Sequence, residues 1–220
     1  MPARRPDLRA QAAAFADQTS ELLNRTVTHG IRIRSVLQAD GQVGWIGYEI
    51  DRLTLTPPRG IPLTLTTAPP PCYLNVAHTL EQHQGFLVAS KSTFGLYLDE
   101  SLEDNVFHYD YDREPENEYP QAHVQVSGRS EALEELSRRL NREQELDRLH
   151  FPVGGKRFRP CLEDVIEMLI VERLAAARRD WRDTIEEHRA RFHRIQLMAA
   201  VRRDPAAARE QLAMLEAERQ

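Results

Sequence analysis

Cysteine is scarce: the 220 residues include two, Cys72 and Cys161. That excludes a disulfide-stapled scaffold and a four-cysteine zinc site. No run of 18 apolar residues occurs, so no segment reads as a membrane-spanning helix. The opening MPARRPDLRAQAAAFADQ has two arginines but no apolar stretch of signal-peptide type, so a cytoplasmic protein with no membrane partner is expected. Three familiar catalytic signatures are also missing: the Gly-x-Ser-x-Gly elbow, His-Glu-x-x-His and the dinucleotide-binding glycine fingerprint. Their absence argues against common α/β-hydrolases, zincins and Rossmann enzymes, not against every enzyme.

What is present is charge. There are 29 Lys+Arg and 34 Asp+Glu, a formal net charge of −5, and a charged share of 29% that points to exposed helices. The apolar share of 41% suffices for one core, and the length fits a core plus an appendage.

Periodicity divides the chain. Leu8, Ala12, Phe15, Thr19, Leu22 and Leu23 recur at helical spacing over 7–27, with Gly30 as a stop. Residues 31–37 and 43–56 read as a hairpin around Asp40-Gly41. IPLTLTT, 73–77, 86–98, NVFHYDYD and AHVQVSG read as further strands, with Pro69–Pro71 in a connection. Ser130 with Glu134 and Glu135 marks a helix to 145. Pro160 opens another, with Leu162, Val165, Ile166, Leu169, Ile170 and Leu174 on its apolar face. Trp181, Ile185, His188, Phe192, Ile195 and Ala199 mark a long helix, and Asp204-Pro205 starts a last one. The fold class expected is α+β: an antiparallel meander of about five to seven strands, packed by an N-terminal and two central helices. Residues 1–177 form that domain, and 178–220 form an α-helical hairpin appendage.

Two constellations carry chemistry. In a strand, alternate residues share a face, so His108, Asp110 and Asp112 lie opposite Phe107, Tyr109 and Tyr111. If 120–127 pairs alongside, His123 and Gln125 face away from the core with Ala122, Val124 and Val126 toward it. The intervening linker is longer than a tight turn and leaves the register open. A register that joins the two polar sets makes His108, Asp110 and His123 candidate catalytic residues and Asp112 a candidate metal ligand. A divalent metal, Zn²⁺, Mn²⁺ or Mg²⁺, is the cofactor such a set would hold; acid–base work is the alternative. The solvated face of a half-buried sheet alternates in the same way.

The second constellation is Gly154-Gly155-Lys156-Arg157-Phe158-Arg159 before a helix. Glycines, a helix start and three cations make Lys156, Arg157 and Arg159 candidate phosphate-binding residues, although the order is not that of a P-loop. The alternative is ion pairing with the nine acids of 99–118. Cys72, Cys161 and His188 read as packing residues; His78 and His83 flank an expected turn.

The run FHYDYDREPENEYPQAHVQVSG, residues 107–128, resembles the strand–loop–strand of TumE-like bacterial toxins, in which an aromatic-Tyr-Asp strand precedes a proline and a histidine-rich strand. Tyr109-Asp110 and Pro120 with His123 match that layout. Gln125 stands where the family's second histidine is expected. The resemblance implies a toxin–antitoxin or defence role. The run 149–170 is similar to an uncharacterised actinobacterial family and implies no activity.

Two functions follow as expectations. The first is a protein-interaction module that engages a protein partner, or itself, through 178–220. The second is a toxin-like enzyme acting on nucleic acid through the His/Asp set. A small-molecule site on the sheet is a third, with nothing to select its ligand.

Overall fold

The computed structural model describes residues 7–66, 68–83, 85–116, 119–128, 130–139, 150–154 and 159–218. Lys156 and Arg157 lie outside them. The chain is α+β, as expected, built on an antiparallel eight-stranded sheet. Its strands are β1 (Ile33–Leu37), β2 (Val43–Tyr48), β3 (Ile61–Pro62), β4 (Tyr73–His83), β5 (Phe86–Tyr97), β6 (Asn105–Asp112), β7 (Ala122–Val126) and β8 (His150–Pro152). The order is β1-β2-β4-β5-β6-β7-β8, with β3 beside β2 on the same side of β4.

Helix α1 (Leu8–Thr26) starts where the Asp7 carboxylate accepts the Ala10 N–H at 2.9 Å. Its Leu8, Ala12, Ala16, Leu22 and Leu23 are buried against Ile33, Ile46, Val76 and Leu80 of the sheet. Helix α3 (Leu162–Val171) adds Leu162, Val165, Ile166 and Leu169 to the same core. These helices cover one face, which receives the β6 side chains Phe107, Tyr109 and Tyr111. Alternation then sends His108, Asp110 and Asp112 to the other face.

Several expectations need correction. β2 ends at Tyr48 rather than running to 56. Glu49 takes a left-handed φ of 55°, and Asp51 accepts from Leu53 and Thr54 N–H, both at 2.8 Å, in a side-chain-stabilised turn. The chain folds back so closely that a Cβ on Gly47 would meet Pro57 Cγ at 2.9 Å. IPLTLTT pairs only through Ile61–Pro62, because Thr64 and Thr66 hydroxyls take up the N–H groups of Thr66 and Ala68. β4 is longer than expected, at eleven residues, and places both His78 and His83 in a strand. Helix α2 spans Glu131–Arg139 with Leu136 43% exposed, and its expected continuation to 145 lies outside the described residues.

Helix α4 (Trp181–Arg203) is shared between core and tail. Ile185 is 1% exposed within the core cluster, Thr184 and His188 are also buried, and Arg189 forms ion pairs with Asp164, at 3.0 Å, and Glu167. Packing against the core therefore continues past the expected division at 178. Beyond Arg189 the helix emerges and meets α5 (Pro205–Ala217), which buries no residue.

Side chains of α1 also complete the backbone pairing at the first strand. Asn24 exchanges two hydrogen bonds with the Ile31 backbone, and Ser20 Oγ accepts the N–H of Ile33 at 2.9 Å. Because Ile33 is buried, Ser20→Ala strands that N–H. A loss of about 1–2 kcal/mol in urea unfolding is expected, the usual penalty for a stranded buried donor.

Candidate metal centre

The β6–β7 register pairs His108 with Gln125 and Asp110 with His123. Both polar sets therefore share the face opposite α1 and α3. The neighbouring strand β5 sets Thr93 opposite Asp110 and Gly95 opposite His108. A Cβ on Gly95 would stand 3.3 Å from His108 Cβ, so glycine gives the imidazole its room. On the far side β8 sets His150 opposite Gln125.

His108, Asp110 and His123 offer one donor atom each, all within 4.8 Å of one another. Nε2 of His108 lies 3.3 Å from Asp110 Oδ2, and Nε2 of His123 lies 4.0 Å from the same oxygen. The side chains are 20%, 34% and 12% exposed for His108, Asp110 and His123, so the centre is half-buried yet reachable from solvent.

The outer hydrogen bonds define which atoms are electron-pair donors. Pro120 O can only accept, so His123 Nδ1, 3.1 Å away, carries the hydrogen. Asn105 uses its amide N–H toward Phe107 O, which leaves Oδ1 as the acceptor for His108 Nδ1 at 3.3 Å. Ser127 Oγ donates to the same Oδ1 at 3.0 Å and holds it in place. With both Nδ1 positions hydrogen-bonded outward, Nε2 of each ring is the atom turned toward the carboxylate, and it offers a lone pair wherever the ring is neutral. Asp110 itself accepts from Thr93 Oγ1 at 2.7 Å through Oδ1, which leaves Oδ2 for the centre.

Three lone pairs aimed at one region repel unless a cation lies among them. A proton on His108 Nε2, 3.3 Å from Asp110 Oδ2, is one solution for that pair, but the 4.0 Å gap from His123 is beyond hydrogen-bond length. A metal ion is the other. Tetrahedral Zn²⁺ with bonds of about 2.0–2.1 Å separates its donors by roughly 3.4 Å, so donors within 4.8 Å of one another need to contract by up to about 1.4 Å. The outer pattern is the one metal sites use, with imidazole Nδ1–H donated outward and the carboxylate hydrogen-bonded in turn.

Three residues at this site escaped the sequence reading. Thr93 and Asn105 orient Asp110 and His108. His150 stacks on Tyr119 with centroids 3.9 Å apart and meets His123 edge-on at 4.8 Å. Burial, then His123 and His108, pull its imidazole below the ordinary value, against the opposing pull of Asp110. The available signal for His150 was the alternation in His-Phe-Pro.

Other candidates stand apart. Asp112 projects from the same face, but Lys91 Nζ holds its Oδ2 at 2.8 Å, and that contact raises the lysine's pKa. Arg159 sits over the Tyr111 ring at 3.9 Å, on the opposite, helix-covered face. Cys161 donates to Asp164 Oδ2 at 3.1 Å, and burial followed by Glu163 raises its pKa. Cys72 is buried, its Sγ 3.4 Å from Leu174 O. Among the described residues no helix is long and apolar enough to cross a membrane. Comparison with protein-family models, curated proteins and solved structures returned no match, so the reading of this site rests on its geometry.

Proposed function

We propose that this protein is a divalent-metal enzyme whose site is His108, Asp110 and His123 on the open face of the sheet, and that its reaction is hydrolytic. One observation carries the reading: both imidazoles are tied at Nδ1, so their Nε2 lone pairs and Asp110 Oδ2 converge. A metal held there supplies Lewis-acid polarisation and lowers the pKa of a bound water. Two histidines and one carboxylate leave coordination positions open for water and substrate. Thr93 and Asn105 hold the donors in orientation. His150, beside His123 but outside the three-donor group, is placed to accept a proton from the solvent side.

Nucleic acid is the substrate class that the toxin resemblance implies. Arg159, on the other face, does not supply that substrate with a phosphate contact at this centre. The acids Asp112, Glu114 and Glu116 follow directly along the chain and disfavour a polyanion, so a neutral or cationic substrate fits the surroundings better.

The test is the unfolding midpoint of the EDTA-treated protein with Zn²⁺, Mn²⁺ and Mg²⁺ added in turn. Binding confined to the native state stabilises by about 2.7 kcal/mol at a hundredfold excess over Kd. Zn²⁺ or Mn²⁺ should raise the midpoint, and His123→Ala should remove the rise. An unchanged midpoint with every metal would overturn the proposal.

A further inference from the structure

We propose that the outer part of α4 and the whole of α5 form a two-fold interface with a second copy of this chain. The proposal is independent of the metal centre. Ile185 and His188 seat the start of α4 in the core, but Leu197, Met198 and Val201 are 64%, 47% and 40% exposed. Arg194, Leu197 and Val201, spaced three and four apart, lie along one side of the helix. On α5, Leu212 and Leu215 repeat that spacing and are 59% and 43% exposed. Two adjoining helices thus each leave an apolar stripe in solvent, which isolated surface leucines do not.

Charge selects the occupant. From His188 to Arg203, α4 carries Arg189, Arg191, Arg194, Arg202 and Arg203 and no acid. Within the chain Arg189 is engaged by Asp164 and Glu167, Arg191 by Glu187 at 3.4 Å, and Arg202 lies over the Phe86 ring, which makes Arg194 and Arg203 the residues to test. Helix α5 with its caps has Asp204, Glu210, Glu216 and Glu218 against Arg209. A basic helix is therefore followed by an acidic one. A two-fold axis running along the helices sets α4 of one copy against α5 of the other, so that both contacts join opposite charges. The acidic helix also makes an anionic membrane a poor partner for this face.

Size sets the strength. Each helix segment, about 20 Å long and about 10 Å across, offers roughly 200 Å² in plan, and the two together fall below the ~800 Å² per partner of standard complexes. The dimer should therefore be concentration-dependent, with a dissociation constant on the order of micromolar.

The experiment is sedimentation velocity of the full chain from 1 to 200 µM. A monomer–dimer equilibrium is expected, and Leu212→Glu with Leu215→Glu should abolish it. Since α5 buries nothing, that variant keeps its fold, and an unchanged thermal midpoint of its monomer checks this. Two charge variants then test the pairing. One carries Arg194→Glu and Arg203→Glu, which removes most of the positive charge of the outer α4; the other carries Glu210→Lys and Glu216→Lys, making both helices basic. Each alone should be monomeric, and their mixture should form the heterodimer. A wild-type monomer at 200 µM, a dimer that survives the leucine variant, or charge variants that do not recover on mixing would each overturn the proposal. So would a monomer that cosediments with phosphatidylserine vesicles through these leucines.

Discussion

Asp110→Ala should lower Zn²⁺ affinity by more than about 100-fold, and Asn105→Leu by about 10- to 100-fold, although Asn105 would touch no metal. The two losses have different origins. Asp110 supplies the oxygen common to both imidazole contacts, so its removal takes away one donor of three and the only negative charge. Asn105 supplies the acceptor that fixes the hydrogen on His108 Nδ1 and points Nε2 inward. With leucine there, the ring is free to turn or to carry its hydrogen on Nε2, and the metal has to reverse that first. Asn105→Asp retains the acceptor and should keep affinity near wild type, which separates an orienting role from a packing one. Thr93→Val, which removes the 2.7 Å bond to Asp110 Oδ1, should behave like Asn105→Leu. Competition titration with a zinc-binding dye measures the series. Because neutral imidazoles are the ligands, affinity should also fall with pH in every variant that still binds. Equal affinity in Asn105→Leu and wild type would show that the imidazoles are not oriented through Asn105.

Much of this arrangement was legible in residues 105–126. Alternation alone places His108 and Asp110 on one side of β6, and His123 and Gln125 on one side of β7. Whether those sides coincide depends on register. The eight-residue connection between Asp112 and Gln121 closes with Asp112 N–H on Gln121 O, a pairing that side-chain pattern does not encode. His150 was hidden for a related reason: its three-residue strand lies far along the chain and reads as part of a loop. Arg159 illustrates the opposite failure. Its sequence neighbourhood suggested an anion site, but the side of the sheet it reaches is decided by the path into α3, where the Tyr111 ring receives it. Helix α2 had the expected pattern, yet its Leu136 is left 43% exposed, because an apolar stripe shows that a helix can be covered, not what covers it.

His78 was read as a turn residue, and its burial leads to the second large effect. Acidification from pH 7 to pH 5 should cost about 2 kcal/mol of stability through this one side chain. The ring lies between Phe15 and Phe94, with centroids 5.1 and 5.3 Å away, and its Nδ1 is 2.9 Å from Ser92 Oγ. Burial, with a further push from Arg159, lowers its pKa to about 3. In the unfolded chain the imidazole takes up a proton near its ordinary 6.5. Between those values the unfolded state binds the extra proton, so stability falls as pH drops, by up to about 1.4 kcal/mol per pH unit. The stabilising contribution is complete above about pH 6.5 and lost on the way down to about 3. His150, also lowered, adds in the same direction but is less buried, so His150→Gln should remove only a small part of the slope. The informative variant is His78→Leu combined with Ser92→Ala, since Ser92 is buried and its hydroxyl would otherwise lose its partner. Urea midpoints at pH 5, 6 and 7 should converge in that variant and spread in wild type. Equal spreading in both would mean that native His78 binds its proton as readily as the unfolded chain does, contrary to an imidazole enclosed by two phenyl rings.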